Sequence, residues 1–192
     1  MTAIKMTERD MQVLDFIKEY KCADTETLTK LFFVSQATCE KRMRKLVEAR
    51  KLNRYRQDIL HSYVYYKGQR PTNIKHSLLM SKVYSILHSS YQVVKCRREY
   101  EFKYLNKTQR ADLMCVIRLD NKLIPIIVEV ELCKTYKYKY EEFIHSKYYQ
   151  KYFPIEPVII VVSNNTPKSN TGNIVHIRLD ELDKLENLRS LI

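Results

Sequence analysis

Glycine and proline are scarce in this 192-residue chain, at 2 and 5, and tryptophan is absent. So few of the first two leave little room for a low-complexity linker or a fibrous repeat. No apolar run reaches the roughly 20 residues needed to span a bilayer, so no membrane partner is expected. The opening stretch, MTAIKMTERDMQVLDFIKEYK, breaks its apolar pattern with acids and does not read as a secretory signal. The 5 cysteines (Cys22, Cys39, Cys96, Cys115, Cys133) are scattered and include no Cys-x-x-Cys pair. They are expected to be reduced core thiols of a cytoplasmic protein rather than a zinc site. The 5 histidines are isolated, with no ligand spacing between them.

What the chain does have is positive charge. A formal net charge of +12 beside a globular 45% of hydrophobic residues favours a polyanionic partner. The chain reads as two halves, residues 1–70 and 73–192, separated by the Gly, Pro and polar residues of GQRPTN at 68–73.

The first half reads helix, helix, helix, then two strands. Thr7 is a candidate N-cap with Asp10 three residues on, followed by an apolar stripe of Met11, Leu14, Phe16 and Ile17. A second helix over residues 24–33 carries Leu28, Leu31 and Phe32. Ser35 caps a third, which turns Cys39, Met43, Leu46 and Val47 inward. Its outward residues are Gln36, Thr38, Lys41, Arg42, Lys45 and Arg50. LNRYRQD and LHSYVYYK then form a β-hairpin around Gln57-Asp58. Three helices and a hairpin make a winged helix-turn-helix, whose third helix enters the major groove of double-stranded DNA. Gln36, Thr38, Lys41, Arg42 and Lys45 are the expected helix contacts. Arg54 and Arg56 share one face of the wing and are expected on phosphates.

The second half changes grammar. A helix over 74–89, strands near 92–102, 111–119 and 123–132, a helix over 137–152 and two further strands precede a last helix capped by Asp180. That order resembles the restriction-endonuclease-like fold, so the fold class is α+β, a winged helix followed by an α/β nuclease-like domain. The signature of that fold is an acid on the second strand and Asp/Glu-x-Lys on the third. Here Asp112 stands on the second strand, and Glu129 and Glu131 share one face of the third. Three converging carboxylates need a cation, protonation or basic partners. Magnesium held by Asp112 and Glu129 would suit an oxygen-only site and serve a phosphodiester cut. The lysine position of the signature is Glu131; Lys134 lies three residues on and off-face by strand period, and Glu99 or Glu101 stands on the first strand. Without a metal, the acids are expected to pair with Arg110, Lys134 or the basic helix.

KTYKYKYEEFIHSKYYQKYF interleaves lysine and aromatic residues. Helical period gathers Tyr140, Phe143, Ile144, Tyr148 and Tyr152 into a stripe that packs on the sheet, leaving Lys137, Lys139, Lys147 and Lys151 for a phosphate backbone.

TERDMQVLDFI, SYVYYK, KHSLLMSKVYSIL and RADLM…VEVE…K together resemble the replication-relaxation family of plasmids, conjugative elements and phages. Members commonly carry Arg-Pro-Asp and Glu-x-Asp where this chain has Arg110-Ala111-Asp112 and Glu129-Val130-Glu131. The resemblance implies sequence-specific DNA binding in replication, mobilisation or regulation, with relaxase or replication proteins as partners. Two alternatives stand beside it: a magnesium-dependent endonuclease or nickase using Asp112, Glu129 and Glu131 with Lys134, and a transcriptional repressor whose second half makes it a homodimer.

Overall fold

The computed structural model describes residues 4–132, 139–164 and 173–190, and it is a mixed α+β protein. The chain divides into two compact units, residues 1–85 and 86–192. The expected division at 68–73 differs because most of the following helix packs on the first unit.

In that unit, α1 (Glu8–Tyr20) opens on a reciprocal cap. Thr7 Oγ1 accepts from the Asp10 backbone N–H, and the Asp10 carboxylate accepts from the Thr7 N–H at 2.7 Å. The helix buries Val13, Leu14, Phe16, Ile17 and Tyr20, while Met11, expected in the stripe, is half exposed. A three-residue strand, β1 (Cys22–Asp24), follows; it is too short to show a period and was not expected from the sequence. Asp24 then caps α2 (Thr25–Phe32) by accepting from the Thr27 N–H at 2.9 Å. Ser35 caps α3 (Gln36–Glu48), which buries Cys39, Met43 and Leu46. The hairpin is β2 (Asn53–Tyr55) and β3 (Val64–Tyr66), and β3 pairs antiparallel with both β1 and β2. The next helix, α4, runs Ile74–Ser90. Tyr84 lies 5.7 Å from the Phe16 ring and 5.0 Å from the Tyr20 ring, and Lys82 bridges Asp24 and Glu26. These contacts hold the first part of α4 on the first unit.

The second unit is built on a five-stranded sheet: β4 (Gln92–Tyr104), β5 (Lys107–Leu119), β6 (Lys122–Glu131), β7 (Val158–Ser163) and β8 (Ile174–Arg178), in that spatial order. The first two pairings are antiparallel and the last two parallel. Leu105-Asn106 and Asp120-Asn121 all have positive φ, as two-residue hairpin turns of the primed type require. An aromatic cluster of Phe102, Tyr104, Tyr140, Phe143 and Phe153 packs with Met114, Ile127 and Ile159 on one face of the sheet. No helix among the described residues is long and apolar enough to cross a membrane.

Three expectations need correction here. Of the helix expected over 137–152, the part from residue 139 on is a short α5 (Glu141–His145) and a 3-10 turn (Tyr148–Lys151), separated by Lys147 at φ 56°. An unbroken helix would point Phe153 about 80° away from Phe143, and both belong to the same cluster. The last helix is a 3-10 segment, Leu179–Ser190, kinked at Glu181 and Asn187. Asp180 lies inside it rather than before it, and its carboxylate accepts two bonds of 2.9 Å from Arg178. Finally, Cys96 and Cys115 are cross-strand partners in the β4–β5 ladder and are joined as a disulfide, whereas reduced thiols were expected. Cys22 and Cys39 are free and buried, and Cys133 lies outside the described residues.

Candidate functional site

Two places in the chain gather the residues singled out by sequence, one in each unit. On α3, burial of Cys39, Met43 and Leu46 leaves Gln36, Thr38, Lys41 and Lys45 exposed. Gln36 donates to Glu40 at 2.7 Å one turn on, and the Thr38 hydroxyl lies 2.9 Å from that of Ser35.

Arg42 does not belong to this face. Its guanidinium donates through Nε to Asp10 Oδ1 at 2.7 Å, through an NH2 group to Asp10 Oδ2, and to the Lys5 carbonyl at 2.9 Å. Asp10 is fully buried, so Arg42 neutralises a carboxylate that could not otherwise be there. The hydrogen bond from Arg42, ahead of those from Thr7, holds the Asp10 carboxyl down to about 2 against the opposing effect of burial. A base-reading role for Arg42 is therefore replaced by a structural one.

The hairpin supplies the other cations. Arg54 and Arg56 both stack on the Tyr63 ring, at 4.2 and 4.7 Å from its centre. Such stacking fixes the guanidinium planes and leaves their edges to donate. Between α3 and the hairpin lies a groove of about 300 Å³, lined by Gln36, Glu40, Arg44, Arg54, Arg56 and Tyr63 among others. Arg44 was missed in the sequence. Its signal was there, since Gln36, Glu40 and Arg44 stand at i, i+4 and i+8.

In the second unit, Asp112 and Glu129 come together where the β5–β6 ladder ends beyond Leu113↔Val128. Asp112 Oδ2 accepts from the Val130 N–H at 2.8 Å. Glu129 is almost fully buried and both its oxygens are engaged: Oε2 accepts from Lys139 at 2.7 Å and Oε1 from the Tyr140 hydroxyl. Lys139 also donates to the Arg110 carbonyl at 2.8 Å. Burial pushes the Glu129 carboxyl up, and the charge of Asp112 adds to this, while Lys139 and Tyr140 oppose it. Glu131 is half-buried at the end of the same strand. Lys134 and Lys137 lie outside the described residues. The basic partner is thus Lys139, from the lysine-rich segment expected to supply either a partner for the acids or a phosphate contact.

A magnesium ion would need open carboxylate oxygens here. Tyr140 and Lys139 occupy those of Glu129, and among the described residues no group of three or more His, Cys, Asp or Glu is arranged to hold a metal. As arranged, these residues do not fit the ion.

Comparison with family models gives no match, and comparison with curated proteins gives none. Among solved structures the chain is similar to protein VC1899 from Vibrio cholerae, with 13% identity and a TM-score of 0.41. The alignment covers 98% of this chain but 57% of that one, so this chain spans little more than half its length.

Proposed function

We propose that this protein is a sequence-specific double-stranded-DNA-binding factor of a mobile genetic element, acting in replication, mobilisation or regulation. The observation that carries the reading is the juxtaposition of an exposed polar and basic helix face with a hairpin bearing two ring-stacked arginines. Three helices with a β1-β3-β2 sheet fit a winged helix, with α3 as the reading helix and β2–β3 as the wing. Charge supports it as well. Residues 1–85 hold 17 of the 34 lysines and arginines but 9 of the 22 acids, a net excess of eight positive charges. Gln36, Thr38, Lys41 and Lys45 then face base edges, with Arg44 joining them from the groove. Glu40 adds an acceptor suited to a cytosine amino group. Arg54 and Arg56 take phosphates. The mobile-element role rests on the sequence resemblance, as do relaxase or replication proteins as partners.

A meander followed by two parallel strands is compatible with a nuclease-like second domain, and we take that domain as non-catalytic. Asp112 and Glu129 already have hydrogen-bond partners within the chain, which is what a structural role requires.

The test is selection of bound duplexes from a randomised pool by the full chain, followed by affinity measurements across salt concentrations. Log affinity should fall with log salt at about −0.9 per phosphate neutralised, and Arg54→Ala or Arg56→Ala should make that slope shallower by about one each. Lys41→Ala with Lys45→Ala should weaken the selected site more than an unrelated duplex. No enrichment from the pool, or a flat salt dependence, would remove DNA as the partner. Magnesium-dependent cleavage of the selected duplex, lost in Asp112→Ala, would make the protein an endonuclease instead.

A further inference from the structure

The tip of the hairpin carries a feature that phosphate contacts do not use. Ile59 and Leu60 are 79% and 92% exposed, side by side. Large aliphatic side chains so fully in water, and adjacent, are uncommon on a surface with no partner. They are held out by a built turn: Asp58 Oδ1 accepts from the Leu60 N–H at 2.8 Å, and the Asp58 carboxylate meets the His61 ring at 2.7 Å. Just below the tip, Arg54 and Arg56 are fixed on Tyr63.

We infer that Ile59 and Leu60 form an apolar wedge that enters the minor groove and partly unstacks a base step, bending the duplex. This rests on the DNA-binding reading above and goes beyond it. The occupant follows from charge. An exposed apolar pair lining the same groove as two ring-stacked guanidinium groups is complementary to a surface that is anionic outside and apolar between its bases. Proteins that insert aliphatic side chains between base steps use the same pairing of cations on phosphates with a wedge in the groove. Pyrimidine–purine steps such as TA unstack most readily, so the wedge should seat there.

The experiment uses the full chain and duplexes selected by it, labelled at both ends for energy transfer and carrying 2-aminopurine at each TA step. The wild type should shorten the end-to-end distance and raise 2-aminopurine fluorescence at one step. Ile59→Ser with Leu60→Ser should keep an unchanged circular-dichroism melt, bind the duplex more weakly, and lose both signals even at protein concentrations that saturate it. Equal bending and fluorescence in that variant, with binding intact, would discard the wedge and leave the DNA reading standing. A variant that changes only the sedimentation of the free protein or its adhesion to anionic vesicles would also discard the wedge, and assign the tip to a second copy or a lipid surface. Failure of the wild type to select any duplex removes the DNA reading and the wedge together.

Discussion

Arg42 and Lys45 sit three residues apart on one helix and have opposite fates. Arg42 is bonded to a buried carboxylate, while Lys45 is exposed. Arg42→Ala strands Asp10 and should cost about 2–3 kcal/mol of folding stability, whereas Lys45→Ala should stay within about 0.5 kcal/mol. Urea unfolding at neutral pH separates them, and equal stability of the two variants would mean that the Asp10–Arg42 pair is not formed. The same pair sets an acid limb. Asp10 titrates at about 2 in the folded chain against an ordinary 3.8, so between those values the unfolded chain binds more protons. Its contribution, about 2 kcal/mol, is complete above pH ~4 and is lost as pH falls through ~2. In Asp10→Asn that part of the pH dependence should vanish.

At the scale of elements, what could be read from sequence was what repeats with a local period. The inward face of α3, the hairpin and the succession of five strands along the second half follow from spacings of 3.6 and 2, together with caps such as Ser35. Contacts between distant positions could not be read that way. Asp10 and Arg42 are separated by 32 positions, and while the acids were expected to meet the lysine-rich segment, its period does not say that Lys139 is the residue that reaches Glu129. The break of α5 at Lys147 was hidden for the same reason, since a helical stripe says nothing of a core that needs Phe153 turned back. The β6 carboxylate now yields a prediction of its own. Lys139→Met removes the cation beside a buried Glu129 and should cost about 1–3 kcal/mol near neutral pH. The Glu129 carboxyl is already raised, and in the variant it should rise further. Protonation makes the lost cation unnecessary, so the deficit should shrink as pH is lowered. A deficit independent of pH would show that Lys139 acts by packing alone.

For the whole molecule, the division between Ser85 and Ile86 predicts that damage to one unit stays there. Each unit has its own buried residues, one around Ile17, Leu28 and Leu46, the other around the aromatic cluster on the sheet. Chains of this kind unfold in parts, and local stability is read by amide hydrogen exchange. α4 runs through the division, from Ile74 to Ser90. Exchange measured by peptide on the full chain therefore has a definite expected pattern. Arg42→Ala should raise exchange across α1, α2 and α3 and leave β5 and β6 as in the wild type. Lys139→Met should do the reverse. If either variant raised exchange evenly over all these elements, the protein would unfold as one cooperative body. Helix α3 and the carboxylate-bearing sheet would then stand or fall together.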